Sequence, residues 1–97
     1  MVVIRWTDEA EAWMKDIHSY IAKDDPQAAE RVLREIYKRT QILRRFPRSG
    51  YRYWLDSDGD IRILLYGHYR IAYILKNNGE LDILGVFHSA LDIDRYL

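Results

Sequence analysis

The chain has no cysteine. Disulfides and thiolate metal sites are therefore excluded, and the composition fits a reducing compartment. Only two prolines and five glycines interrupt it, too few for a linker-rich or low-complexity protein. No apolar run approaches the roughly 20 residues that cross a bilayer. The opening Met1-Val2-Val3-Ile4-Arg5 reads as a strand rather than a basic, apolar leader. A cytoplasmic protein with no membrane association is the expectation. Net charge is also lacking, since 15 bases balance 15 acids.

That neutrality hides an asymmetry along the chain. Residues 8–30 carry −5, residues 31–52 carry +7 and residues 53–97 carry −3. The basic block (Arg31, Arg34, Lys38, Arg39, Arg44, Arg45, Arg48 and Arg52) contains a single acid, Glu35. A concentrated block in a neutral domain is either a solvated helix face or the place where the protein meets an anionic surface.

Ninety-seven residues suffice for one domain with one core, residues 1–97. A strand is expected over 2–6. Thr7 or Asp8 caps a helix whose apolar stripe is Ala10, Trp13, Met14, Ile17, Tyr20 and Ile21. Asp24-Asp25-Pro26 ends it and starts a second helix, expected to reach about Arg45, with Ala29, Val32, Leu33, Ile36, Tyr37, Thr40 and Leu43 on its apolar side. Pro47 and Gly50 stop that helix. Strands follow at 51–55, 61–66, 69–75 and 81–88, with Asn78-Gly79 as a hairpin turn. A short helix over 90–97 completes the chain. The order β-α-α-β-β-β-β predicts an α+β fold: an N-terminal strand, and an antiparallel helical hairpin on one face of a mainly antiparallel four- to five-stranded sheet.

Two arginines stand in apolar strands, Arg62 in Ile61–Tyr66 and Arg70 in Tyr69–Leu75. A guanidinium stays charged, so each needs a partner or water. Alternation places Ile61, Ile63, Leu65, Ile71, Tyr73, Ile83 and Phe87 under the helices and brings Arg62, Arg70 and His88 to the open face, unless a bulge shifts the register. The competing structural partners are Asp92 or Asp94 for Arg70, and Glu80 or Asp82 for Arg62. Arg45, Arg48 and Arg52 extend the candidate anion-binding or target-binding set.

His18, His68 and His88 lack metal-ligand spacing, so no metal is expected. Asp56-Ser57-Asp58-Gly59-Asp60 has neither the sixth-position glycine nor the twelfth-position glutamate of a calcium loop. No Gly-rich phosphate loop and no nucleophile elbow is present, and no cofactor is implied. Trp13 belongs to the first helix's stripe, whereas Trp54 has no core position to explain it.

Ala10–Ile17, Tyr20-Ile21-Ala22, Asp25-Pro26-Gln27-Ala28-Ala29, Leu43–Pro47 with Gly50, Arg62-Ile63-Leu64, Tyr69–Tyr73 and Ile83–His88 form an ordered series. That series resembles the ParE/RelE superfamily of toxins from bacterial type II toxin–antitoxin modules. The resemblance spans nearly the whole chain and implies the same β-α-α-β-β-β-β fold. RelE-like members cleave mRNA on the ribosome; ParE-like members inhibit DNA gyrase.

By resemblance, Arg70, Arg62 and His88 would be the catalytic set of a RelE-like ribonuclease. However, Leu64 stands where a second base is expected, and Ser89-Ala90-Leu91-Asp92 lacks the usual arginine pair. The Asp-Pro-x-Ala-Ala opening of the second helix and Tyr69-Arg70-Ile71 look closer to ParE. The expectation is a gyrase-directed toxin, with ribosome and mRNA, or a decayed antitoxin-binding partner, as alternatives. The resemblance further implies a toxin–antitoxin hetero-oligomer that meets operator DNA only through its antitoxin. The antitoxin is expected at Arg31, Arg34, Lys38 and Trp54, its acids against the basic block.

Overall fold

A computed structural model describes residues 1–97. Strand β1 (Ile4–Trp6) leads into helix α1 (Asp8–Ala22). Thr7 caps α1 by accepting a hydrogen bond from the Ala10 N–H, with Asp8, Glu9 and Glu11 in its first turn. Helix α2 (Pro26–Thr40) begins behind Asp25, whose side chain accepts from the Ala28 N–H, with Pro26 at the first helical position. The second helix is shorter than its apolar repeat predicts, because the chain tightens into a 3-10 turn over Gln41–Arg44. That turn buries Leu43 and places the Arg44 carbonyl to accept from the Val2 N–H.

Strands β2 (Tyr51–Asp56), β3 (Gly59–Tyr66), β4 (Tyr69–Lys76) and β5 (Leu81–His88) follow. The sheet has five strands in the order β1-β5-β4-β3-β2. All neighbours are antiparallel except β1 and β5, which run parallel. The parallel pair follows from topology. The helical hairpin and three more strands intervene between β1 and β5, so β1 is free to join the far edge in either direction. At the β3–β4 turn Gly67 has φ +55°, which a glycine adopts without a Cβ penalty. The C-terminal segment forms only a single 3-10 turn, Ile93–Arg95, in place of the expected helix.

Register decides the faces. Leu64 lies opposite Ile71 and Arg62 opposite Tyr73, while Ile63 lies opposite Ala72 and Leu65 opposite Arg70. The core under the helices comprises Ala10, Met14, Ile36, Leu43, Leu64, Ile71, Tyr73, Leu75, Leu81, Ile83 and Val86. The expected parity of β3 is therefore reversed: Leu64 faces the helices, and Ile61, Ile63 and Leu65 face away. On β5 a register shift pairs Ala72 with Gly85 but Tyr73 with Ile83. This bulge lets Ile83 and Val86, three residues apart, share the helix side, and it sends Phe87 to the other.

The second face is not left open. Ile63, Ala72 and Phe87 form a small cluster there with Ile93 from the C-terminal turn. Tyr96 stacks on Phe87 (centroids 5.6 Å apart) and meets the edge of Trp13 (5.0 Å). Trp13 also contacts Phe87 edge-on at 4.7 Å.

Tyr73 ties this core to the chain entering β2. Its buried hydroxyl donates to the Pro47 carbonyl (2.6 Å) and accepts from the Gly50 N–H (3.0 Å). No Cβ fits at Gly50, where it would lie 2.7 Å from the Ile63 carbonyl oxygen. Tyr73→Phe leaves that N–H and that carbonyl without partners and is expected to cost about 1–3 kcal/mol. Urea unfolding reads this as a lower midpoint at unchanged slope, and an unchanged midpoint contradicts the bond's role.

Candidate functional site

Arg62 is held from three directions on the helix side of β3. Its Nε donates to Asp60 Oδ2 (2.9 Å), and its Nη1 donates to the carbonyls of Gly50 (2.7 Å) and Arg48 (3.1 Å). Only 13% of its side chain is exposed. Asp60 also accepts from Arg52 Nε at 3.0 Å. The cause lies in the pairing: Arg52 sits directly opposite Arg62, a repulsive cross-strand pair that the Asp60 carboxylate offsets. Burial pushes the Asp60 carboxyl up, but hydrogen bonds and charge from Arg52 and Arg62 more than reverse this and hold it below the usual carboxylate range. The expected partners Glu80 and Asp82 are not used by Arg62. Asp82 instead pairs with Arg5 and Lys76, each at 2.8 Å.

Arg70 lies on the opposite face, between Leu65 and Phe87. Its Nη2 donates to the Leu91 carbonyl, and its buried Nε has no partner. Neither Asp92 nor Asp94 pairs with it; the Asp92 side chain instead caps the 3-10 turn by accepting from the Asp94 N–H. The tail closes over this guanidinium with its backbone, not with its acids. Arg70 is therefore not a free cation on an open sheet.

His88 pairs with Tyr69 across the strands, which puts it on the helix side. Its ring lies 6.2 Å from His68 and 5.7 Å from Tyr69, and its Nδ1 accepts from the Ala90 N–H. The expected convergence of Arg62, Arg70 and His88 thus fails on two counts. The parity of β3 sends Arg62 to the face opposite Arg70, and Asp60 and two carbonyls already hold the Nε and Nη1 of Arg62. No shared position exists where both guanidinia reach one phosphate. The three histidines do not gather either, since His18 bonds Glu30 at 2.9 Å on the hairpin.

The remaining candidates divide between two places. Arg31, Arg34 and Lys38 are exposed on α2, and Arg45 and Arg48 are exposed after it; none pairs with a carboxylate. Trp54 is on edge strand β2, 63% exposed, opposite Ile61 on the face away from the helices. A bulge after Arg52 accounts for this, because without it Trp54 and Arg52 share a face. Trp54 is therefore not part of one surface with Arg31, Arg34 and Lys38. A feature not evident from the sequence is a groove of about 470 Å³ at the end of α1, lined mainly by Trp13, Ile17, Tyr20, Ile21, Tyr69 and Val86. It joins a helix stripe to strand ends that only the bulge brings together.

Acid sensitivity follows from the buried carboxylates. Burial raises Asp82 as well, but Arg5 and Lys76 outweigh it and hold it below its ordinary value. Carboxyls depressed in the folded state contribute stability that is present above the ordinary value of about 4 and is lost as pH falls through the lower folded values. Thermal unfolding between pH 6 and 2.5 is expected to show a plateau followed by a steep fall below about pH 4, shallower in Asp82→Asn. Equal acid slopes in the two proteins contradict the assignment.

Fold and surface together define a small α+β domain that joins a helical hairpin to a mixed five-stranded sheet, basic along one helix and without a converged set of catalytic groups. A family model described as "ParE toxin of type II toxin-antitoxin system, parDE" matches residues 4–93. The chain belongs to this ParE toxin family. A relative from Sinorhizobium fredii, named "Putative toxin Y4kP", is 35% identical over 86 residues, covering 89% of this chain and 86% of that protein. A solved structure titled "Chromosomal ParDE TA system from P. aeruginosa" shares the fold, with a TM-score of 0.72 at 20% identity, over 91% of this chain and 96% of that one.

Proposed function

We propose that this type II toxin arrests growth by binding DNA gyrase rather than by cutting RNA, and that a cognate antitoxin neutralises it. The observation that carries the first part is the separation of Arg62 and Arg70 onto opposite faces of the sheet, with Arg62 immobilised by Asp60. In-line attack on a phosphodiester needs a base, an acid and a cation within reach of one phosphate. Membership of the ParE family supports the choice of gyrase, the target that the resemblance implies.

The antitoxin reading rests on exposed apolar surface. The groove beside Trp13, Tyr20 and Tyr69 suits the anchors of an amphipathic segment, and β2 offers an unpaired edge carrying Tyr51, Trp54 and Leu55. Purified toxin in excess is expected to block gyrase supercoiling or accumulate cleaved DNA, and its antitoxin to reverse this. Normal supercoiling at toxin excess overturns the gyrase reading.

A further inference from the structure

Helical spacing aligns Arg31, Arg34 and Lys38 along the outer side of α2 at intervals of three and four residues, and Arg45 follows the 3-10 turn that extends the helix. At about 1.5 Å per residue, the row is roughly 20 Å long. All four are exposed, and so are Arg44 beside Arg45 and Arg48 beyond its end. Four of the sheet's cations pair with carboxylates, Arg5 and Lys76 with Asp82 and Arg52 and Arg62 with Asp60. Here none is paired, and Glu35, four residues from Arg31, forms no ion pair. Like charges at helical spacing repel, so the row carries a cost that the helix dipole offsets only near the C-terminal end, at Lys38.

We propose that this row is a phosphate-contacting ridge through which the toxin binds duplex DNA without regard to sequence. Two features select this occupant. From Arg31 to Arg45 the exposed positions are bases and Gln41, and Phe46 just beyond is the single exposed apolar side chain, too little for the several anchors on which a bound protein segment depends. One flanking ring also falls short of the successive aromatic platforms that single strands use. What remains is cations in a line over a length that spans several phosphates of one strand. A single straight helix has no means of reaching two successive minor grooves, as duplex RNA recognition requires. The ridge is independent of which cellular machine the toxin stops, and its test contains no gyrase.

Fluorescence anisotropy of the purified full chain with a labelled 25-base-pair DNA of arbitrary sequence measures this directly. Four phosphate contacts give a slope of log K against log salt of about −3.6, a loss of roughly 150-fold in affinity between 50 and 200 mM salt. Arg34→Gln with Lys38→Gln is expected to bring the slope to about −2 and to weaken binding about tenfold or more at 50 mM salt. Lys15→Gln with Lys23→Gln, on exposed bases off the ridge, leaves both unchanged. A shuffled duplex binds equally well. The proposal is overturned by no binding at 50 mM salt, or by equal losses from the ridge and control pairs. Tighter binding of duplex RNA or of a polyglutamate peptide also overturns it, the latter pointing to an acidic antitoxin segment.

Discussion

Asp60→Ala is expected to lower stability by about 3 kcal/mol, at the lower end for breaking a buried ion pair because Arg52 is half in solvent. For a domain of this size the melting temperature would fall by roughly 12–24 °C. The carboxylate bridges two guanidinia on directly opposed residues, Arg52 at 3.0 Å and Arg62 at 2.9 Å. Its removal leaves Arg62 enclosed with two carbonyls, no counter-charge and a like charge across the strand. Truncating the cation as well relieves most of this, so Asp60→Ala with Arg62→Met is expected to be more stable than Asp60→Ala alone. Urea unfolding of the three proteins decides. If Asp60→Ala costs under about 1 kcal/mol, or the double substitution is the less stable, Arg62 is not locked as described.

Phe87→Ala is expected to cost about 3–5 kcal/mol and to free the C-terminal segment. Phe87 is 1% exposed and lies between Trp13, Tyr96 and the bare backbone of Gly85, where an added Cβ would fall 2.5 Å from its ring. Ile93 rests in the same cluster. Without the ring, the segment keeps the Arg70 bond to Leu91 and the contact of Ile93 with Ile63 and Ala72, but loses the side chain that joins Ile93 to Tyr96. Hydrogen exchange on the variant is expected to show early loss of protection at Tyr96 and Leu97, whose amides bond to the Ile93 carbonyl. Unchanged exchange there means that something other than Phe87 holds the tail.

Much of this fold was legible in the sequence because local signals agree with the global one. Thr7 and Asp25 cap the helices they were expected to cap, and Pro26 and Gly79 sit where their geometry requires. The faces of the sheet were not legible. Strands covered on both sides have nearly continuous apolar runs, so Ile61–Leu65 offers no alternation from which to read its direction. The bulges that re-aim Trp54 and Phe87 leave no unambiguous mark in residue type. The same gap hid the partner of Arg62, because Asp60 lies two residues away in what reads as a turn, while β3 in fact starts at Gly59. For Arg70 the sequence pointed to the tail's carboxylates, whereas a backbone carbonyl, present in every residue and therefore invisible in any sequence, took the contact.

On opposite faces of the sheet, the toxin's two strand-borne arginines are not expected to cooperate on one phosphate. Toeprinting of mRNA on translating ribosomes, with wild-type toxin in excess beside Arg70→Ala, tests it most directly. Full-length, uncut message is expected with both proteins. Codon-dependent cuts with the wild type that vanish in Arg70→Ala would contradict it.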